Sequence, residues 1–229
     1  MSALDVAVEL GPKGRRAAAW AVDWPGLERG GATPEEALTR LEAYRERYAP
    51  VARLARRGGE FSAAGDVRVV ETYVGSGSTD FWGISFVSGA SDEVAIDAAA
   101  FTRRLRLLAA SWRHFDAVRA SVSPTLRKGP RGGGRDREAI AGHVLRCEQD
   151  WARKVGVDPA GDVVADPGAL AAHRDAFLRA LRAHLDDGRR ARSWSLPFLV
   201  RHSAFHVLDH AWEMQDRDLG AGSGPRPPA

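Results

Sequence analysis

Three histidines near the end of the chain, His202, His206 and His210, follow one another at intervals of four residues. In an α-helix, residues four apart lie on the same face, about 6 Å from each other along the axis. Two imidazoles at that spacing can bind one metal ion at about 2.0–2.1 Å. The outer pair is about 12 Å apart along the axis, so one of the three must be left out. His206 belongs to both usable pairs and is therefore the first expected ligand.

A third ligand must come from another helix, and His143 is the candidate that the sequence favours. Its neighbours Ile140, Val144 and Leu145 indicate that this part of the chain faces a core. The remaining histidines lie in less suitable positions, at His114, His173 and His184. The alternative is that these histidines are ordinary polar or hydrogen-bonded core residues, which is the usual role of a histidine on a helix.

Three neutral imidazoles would leave a bound divalent ion with open coordination positions, as in catalytic rather than closed structural sites. Imidazole suits Zn, Ni and Fe alike, so the pattern does not select the element. Such an ion can lower the pKa of a bound water or thiol and can polarise an electrophile. Asp209 and Glu213 flank His210 in the sequence, and either can orient a ligand imidazole. Alternatively, each is a solvated acid paired with Arg201 or Arg217.

A second candidate site is the loop 128–135, in which three consecutive glycines stand between arginines. Consecutive glycines let backbone N–H groups converge, and a helix is predicted to begin just after them. A helix N-terminus beside arginines favours an anion such as phosphate or carboxylate. The residues predicted to bind it are Arg131, Gly132, Gly133, Gly134 and Arg135. The alternative is a flexible cationic linker, and the loop lacks the Gly-Lys-Ser/Thr ending of a P-loop.

Four segments in the second part of the chain have apolar residues at helical spacing and are predicted as helices, over 98–121, 136–155, 167–185 and 196–217. Asp136, Asp166 and Ser195 stand where residues that cap a helix N-terminus are expected. Four helices of about 20 residues suit a bundle. The connection between the second and third helices is long for a tight turn, so it can carry the chain across the bundle.

The first part of the chain is predicted to be a small sheet with one helix. Three strands are expected, over 6–10, 17–22 and 67–73. The Gly-Pro-Lys-Gly sequence at 11–14 suits a hairpin loop between the first two. Residues 80–87 are less regular and are interpreted as a strand or a loop.

The one helix of this first part has clear start signals. Thr33, Pro34 and Glu36 form an N-cap, a first-turn proline and a capping-box acid, which predict a helix over 34–57. The whole chain is therefore predicted to be α+β. An N-terminal domain is expected over residues 1–90 and a four-helix bundle over residues 91–218. A disordered Gly/Pro-rich tail is expected over residues 219–229.

Composition excludes several classes of protein. The single cysteine, Cys147, can form neither an internal disulfide nor a cysteine-based zinc site, and we expect it to be a small buried apolar residue. A net charge of +3 is too small to indicate nucleic acid. No apolar run approaches the ~20 residues of a membrane span, and no signal sequence is evident, so we expect a soluble cytoplasmic protein. The dominance of arginine over lysine, with abundant alanine and glycine, indicates a GC-rich genome.

The residues around the candidate ligands resemble a known superfamily. Gly142-His143-Val144 and the segment 205–213, FHVLDHAWE, are similar to the DinB/YfiT-like metal-binding bundles, over about residues 92–217. The resemblance implies an up-down-down-up bundle. It also implies that His143, His206 and His210 are the ligands, with His202 as the alternative ligand left outside. Members of that superfamily include metal-dependent thiol transferases and hydrolases, so a small-molecule substrate or thiol is expected.

A second resemblance concerns the N-terminal segment. The sequences AVDWPGL at 21–27 and GGATPEEAL at 30–38 are similar to HicB-type antitoxins, over about residues 6–51. HicB proteins bind a toxin partner and often carry a DNA-binding tail. No helix-turn-helix follows here, so we expect the segment to pack against the bundle or to form a homodimer contact.

The leading interpretation is a metal-dependent enzyme, either a thiol S-transferase or a hydrolase acting on a small molecule. If the GC-rich genome is actinobacterial, the resemblance implies mycothiol as the thiol. One alternative is a non-catalytic protein in which a metal or ligand only joins the helices. Another is a HicB-like protein-interaction module, which would depend little on metal and would bind a protein partner.

Overall fold

The computed structural model describes residues 3–129, 134–158 and 161–220. Over these residues the protein is α+β, as predicted, with a four-stranded mixed sheet and nine α-helices. The chain divides into two compact units. The first comprises Met1–Ser111 and Pro197–Phe205, and the second comprises Trp112–Leu196 and His206–Ala229. The division falls within two long helices, each of which contributes residues to both units.

The sheet lies in the first unit and contains one strand that was not predicted. Its strands are β1 (Leu4–Leu10), β2 (Ala17–Ala21), β3 (Glu28–Gly31) and β4 (Val67–Val74). In the order β3-β2-β1-β4, β1 pairs antiparallel with β2 and parallel with β4, and β2 pairs antiparallel with β3. The sequence of β3, ERGG, shows no strand pattern, and this segment is extended because it pairs with the buried strand β2.

The predicted helix 34–57 is interrupted. It forms α1 (Pro34–Ala43) and α2 (Arg45–Leu54), separated at Tyr44. The start is as predicted, because the Thr33 hydroxyl accepts a hydrogen bond from the Glu36 N–H at 3.2 Å. The break lies where the Tyr44 ring packs against the guanidinium of Arg29, 4.2 Å from the ring centroid. Pro50, inside α2, was a local signal against one continuous helix, because a proline lacks the N–H of a helical hydrogen bond.

Three short helices complete the first unit, namely α3 (Gly58–Ser62), α4 (Gly77–Trp82) and α5 (Ala90–Glu93). The prediction of a strand or loop over 80–87 is wrong at its start, because α4 covers Asp80 to Trp82. The helix begins with a capping box of Ser76 and Thr79, and it ends at Gly83, whose φ of 68° is readily adopted only by glycine. The prediction of one helix in this part therefore undercounts the helical segments.

The four long helices have nearly the predicted bounds, and they are α6 (Ala98–Ser121), α7 (Arg137–Ala152), α8 (Pro167–Asp186) and α9 (Leu196–Arg217). A 3-10 turn, Arg153–Val155, extends α7. Asp166 caps α8, since its carboxylate accepts a hydrogen bond from Gly168 N–H at 2.8 Å. Asp136 stands at the N-cap of α7, but its carboxylate accepts hydrogen bonds from Leu126 N–H and Lys128 Nζ instead.

One buried guanidinium connects three helices of the second unit. Arg174 on α8 donates two hydrogen bonds to Glu148 on α7, at 2.8 and 3.2 Å, and one to Asp116 on α6, at 2.7 Å. Burial raises the pKa of Glu148, while the guanidinium of Arg174 opposes that rise. The fully buried side chains of Phe177 and Ile140 supply part of the surrounding apolar core. The up-down-down-up arrangement of the four helices stays a prediction.

Three remaining predictions concern the C-terminal tail, the domain boundaries and membrane-spanning helices. Residues 221–229, most of the predicted disordered tail, lie outside the described part of the chain. The domain boundaries at residues 90 and 218 stay predictions. Within the described ranges, none of the helices combines the length and apolar character required to cross a bilayer.

Candidate metal centre

Three histidines from two helices of the second unit converge. His143 lies on α7, and His206 and His210 lie one turn apart on α9. Each offers a ring nitrogen, and the three nitrogens all lie within 4.8 Å of one another. The protein therefore brings three histidines close enough together to hold a metal ion.

The closest nitrogen pair has the separation that a shared ion requires. Nε2 of His143 lies 3.2 Å from Nε2 of His206. Two nitrogens bound at 2.0–2.1 Å to a tetrahedral ion are about 3.3–3.4 Å apart. The ring centroids are also evenly spaced, with His143 at 5.0 Å from both His206 and His210, and the latter two 4.6 Å apart. The donor set and its spacing therefore fit a divalent metal with a preference for imidazole.

His202, the alternative ligand, is not a member of this group. It is buried in the first unit, where its ring stacks on Phe198 at 5.5 Å and lies 5.9 Å from Phe86. Helical spacing alone allowed either pair, His202 with His206 or His206 with His210, to bind one ion. The position of His143 selects the pair His206 and His210.

Burial keeps His143 in the state that can bind a metal. Burial is the main cause that lowers the pKa of His143 to about 4, and the guanidinium groups of Arg135 and Arg146 add to it. The imidazole is therefore neutral near pH 7, with a lone pair available on one nitrogen. A neutral imidazole is the form that a metal binds.

Glu213 orients the third histidine. Nδ1 of His210 donates a hydrogen bond to Oε2 of Glu213 at 2.7 Å, which leaves Nε2 free of this interaction. Burial raises the pKa of Glu213, but the hydrogen bonds from His210 and Arg217 outweigh it, so the pKa lies below its usual value. The carboxylate is thus ionised and can hold the ring and increase its basicity. An orienting role for Asp209 stays a prediction.

Arg217 connects Glu213 to residues at the two sides of the candidate anion loop. Arg217 donates a hydrogen bond to Oε1 of Glu213 at 2.6 Å, and others to the carbonyl oxygens of Arg127 and Arg135, at 2.8 and 2.9 Å. Gly134 lies so close to Arg217 that a Cβ there would approach Nη2 to 2.4 Å, and its φ is 128°. The backbone conformation at this position therefore favours glycine, and an added Cβ would require the Arg217 guanidinium to shift.

The middle of that loop, Arg131, Gly132 and Gly133, lies outside the described residues, and anion binding by the loop stays a prediction. Of its predicted residues, Arg135 is described and exposed, and its charge acts on His143. An anion bound near Arg135 would therefore be electrostatically coupled to the three-histidine group.

Two further side chains, which were not predicted as site residues, lie beside the candidate metal centre. Cys147 lies one turn after His143, with Sγ 3.9 and 4.0 Å from the two ring nitrogens. It is half-buried rather than fully buried as predicted, and burial raises the pKa of its thiol. The Trp151 ring contacts His206 edge-on at 5.0 Å. The spacing of 143, 147 and 151 by four residues was the available signal, because it places all three on one face of α7.

Comparison of the chain with protein-family models, curated proteins and solved structures finds no match. The three-histidine group is a feature of the described residues from which a function can be inferred. Its three ring nitrogens, the Glu213 carboxylate beside His210 and the charge of Arg135 are the chemical groups available to it.

Proposed function

We propose that the protein is a metal-dependent enzyme of the DinB/YfiT-like kind, which transfers a small thiol such as mycothiol or hydrolyses a small molecule. The observation that carries this proposal is the convergence of the His143, His206 and His210 nitrogens within 4.8 Å. Zn, Ni or Fe would suit these ligands. When bound, the ion would supply Lewis acidity and would lower the pKa of a coordinated thiol or water.

Within the described residues, the group would supply three imidazole ligands, and imidazole binds a metal ion in its neutral form. This leaves coordination positions for a substrate and preserves the charge of the ion, both of which are typical of catalytic sites. Cys147, half-buried beside His143, lies outside the group of three nitrogens within 4.8 Å.

Several residues would position the substrate and the ligands. Glu213 fixes the orientation of His210, and Arg217 holds Glu213 in turn. The exposed guanidinium of Arg135 would attract an anionic group on the thiol or substrate. Trp151 would offer an apolar surface beside His206.

A second candidate function is a non-catalytic metal site that joins two helices. It is favoured by the placement of the ligands, since His143 lies on α7 and the other two lie on α9. An ion bound there would cross-link elements that are distant in the chain and would stabilise the folded state by mass action. A HicB-like role of the N-terminal segment, in partner binding or in a homodimer, stays a further proposal.

Elemental analysis tests the metal site directly. We expect about one equivalent of a divalent metal in the purified protein, and its loss in the variant His206→Gln. The matched control is His202→Gln, on the same helix but outside the three-nitrogen group, which should retain the metal. Equal metal content in all three proteins would contradict the proposed ligand set.

Activity separates the two candidate functions. The metal-loaded protein should consume mycothiol in the presence of a soft electrophile, or should hydrolyse small esters or amides, and His206→Gln should do neither. A loaded protein that is inactive in both assays, yet more stable to unfolding than its metal-free form, would favour the non-catalytic alternative.

A further inference from the structure

The first unit contains a small cavity that is separate from the histidine group. Its volume is about 240 Å³, and its lining is mainly apolar. The residues that line it include Val22, Val94, Ile96, Ala100, Arg104 and Pro197. Ligand pockets for drug-sized molecules are usually about 300–1,000 Å³, so a cavity of this size suits a smaller organic molecule.

Arg104 is the unusual member of this lining. Only 7% of its surface is exposed, and Nη1 is fully buried with no hydrogen-bond partner in the described part of the chain. Its one ion pair within the described residues joins Nη2 to Oδ1 of Asp23 at 3.9 Å, which is too long for a hydrogen bond. Asp23 itself is largely exposed, with 66% of its side chain accessible.

The neighbouring buried or half-buried arginines are fully engaged, which sets Arg104 apart. Arg103 donates hydrogen bonds to Glu60, at 2.7 and 3.1 Å, and to the carbonyl of Asp23. Arg201 is bound by Asp92 at 2.8–3.1 Å and also contacts Glu28. Burial lowers the pKa of Arg104, and the charges of Asp23 and Asp92 oppose that shift without cancelling it.

A buried cation without hydrogen bonds destabilises a protein unless a partner compensates it. A carboxylate is the ligand that a planar guanidinium recognises best, through two parallel N–H···O hydrogen bonds. Besides the polar residues Asp23, Ser91 and Arg103, the lining offers hydrophobic contacts from Val22, Val94 and Ile96, which a free phosphate or sulfate could not use. We propose that this cavity binds a small organic monocarboxylate, whose acid group pairs with Arg104 and whose apolar body fills the remaining space.

Benzoate is a suitable probe because it combines one carboxylate with a compact apolar ring. Its binding to the full chain can be measured by calorimetry and by chemical-shift changes of residues that line the cavity.

Arg104→Met should weaken binding at least about tenfold, because it removes a charged pair of hydrogen bonds and keeps the apolar stem. Ala100→Leu should abolish binding by filling the cavity while leaving Arg104 in place. Arg106→Met, an exposed arginine on the same helix, is the matched control and should bind as the unchanged protein does.

The neutral analogue benzamide tests the role of charge and should bind at least about tenfold more weakly than benzoate. Absence of saturable benzoate binding to the unchanged protein would overturn the proposal, as would unaltered affinity in both Arg104→Met and Ala100→Leu. Inorganic phosphate binding as tightly as benzoate would overturn the carboxylate assignment. If Arg104→Met fails to fold, as judged by circular dichroism, Ala100→Leu alone decides. None of these results depends on metal content.

Discussion

At the scale of single residues, Glu213 links the candidate metal centre to the rest of the second unit. One carboxylate oxygen accepts from His210 and the other from Arg217, which also donates to the carbonyl oxygens of Arg127, just before the 128–135 loop, and of Arg135 at its end. Acids that hold a ligand imidazole in this way raise its basicity and fix its orientation. Glu213 would thus support metal binding at this centre without being in the three-nitrogen group.

Substitution of this acid gives a specific expectation. Glu213→Gln should lower the metal affinity by about 10–100-fold, because a neutral amide cannot support the His210 ring as the carboxylate does. Competition with a chelator of known affinity measures the change. Cys147→Ser is the matched control on the opposite helix, and we expect its affinity to equal that of the unchanged protein. A large loss in Cys147→Ser, with none in Glu213→Gln, would mean that the thiol and not the acid supports the ion.

At the scale of elements, strand β3 places a carboxyl group in an interior network of the first unit. Glu28 is fully buried, and it accepts hydrogen bonds from the N–H and hydroxyl of Ser85 at 2.7 and 2.9 Å. Burial is the main cause that raises its pKa from 4.5 to about 7, with Arg201 opposing and the nearby Glu9 adding to the rise. The strand therefore contains an acid whose protonation couples to folding.

The sign of that coupling follows from linkage. The pKa of Glu28 in the folded state lies above its unfolded value of 4.5. Its contribution to the free energy of unfolding is therefore fully present below pH 4.5 and is lost as pH rises through about 7. The free energy of unfolding of the unchanged protein should therefore decline over that range relative to Glu28→Gln, which cannot ionise. Urea unfolding of both proteins at several pH values measures the difference. Parallel pH profiles for the two proteins would show that Glu28 does not titrate as described.

At the scale of the whole molecule, the chain forms two compact units, while helices α6 and α9 each contribute to both. The three histidines of the candidate metal centre all belong to the second unit, and the sheet and the residues that line the Arg104 cavity belong to the first. A metal ion bound by histidines should therefore stabilise one unit directly.

Hydrogen exchange can locate that stabilisation. A ligand present at 100 times its Kd adds about 2.7 kcal/mol to the stability of the state that binds it. On metal loading we expect slower exchange in α7 and in residues 206–217 of α9, and a smaller change in β1 and β2. The same comparison in His206→Gln should show no response. Uniform protection across the chain would indicate that the two units do not open separately.

The local structure of this protein could be predicted from its sequence to a large extent. The bounds of α8 and α9 follow from capping residues and apolar periodicity, which act within a few residues of the chain. The four-residue spacing of the histidines, by the same local geometry, placed His206 and His210 on one face of a helix. His143 was identified from its apolar neighbours and from the resemblance to a metal-binding superfamily.

Other features were decided only by tertiary structure. The sequence of β3 has no strand pattern, yet it pairs with β2, and α1 ends where Tyr44 meets Arg29. Tertiary packing likewise decided three features of single residues. His202 lies outside the three-histidine group, Cys147 is half-buried, and Nη1 of Arg104 is buried without a hydrogen-bond partner in the described part of the chain. Such contacts join residues far apart in the chain, and they form because packing and burial across the fold outweigh local preference.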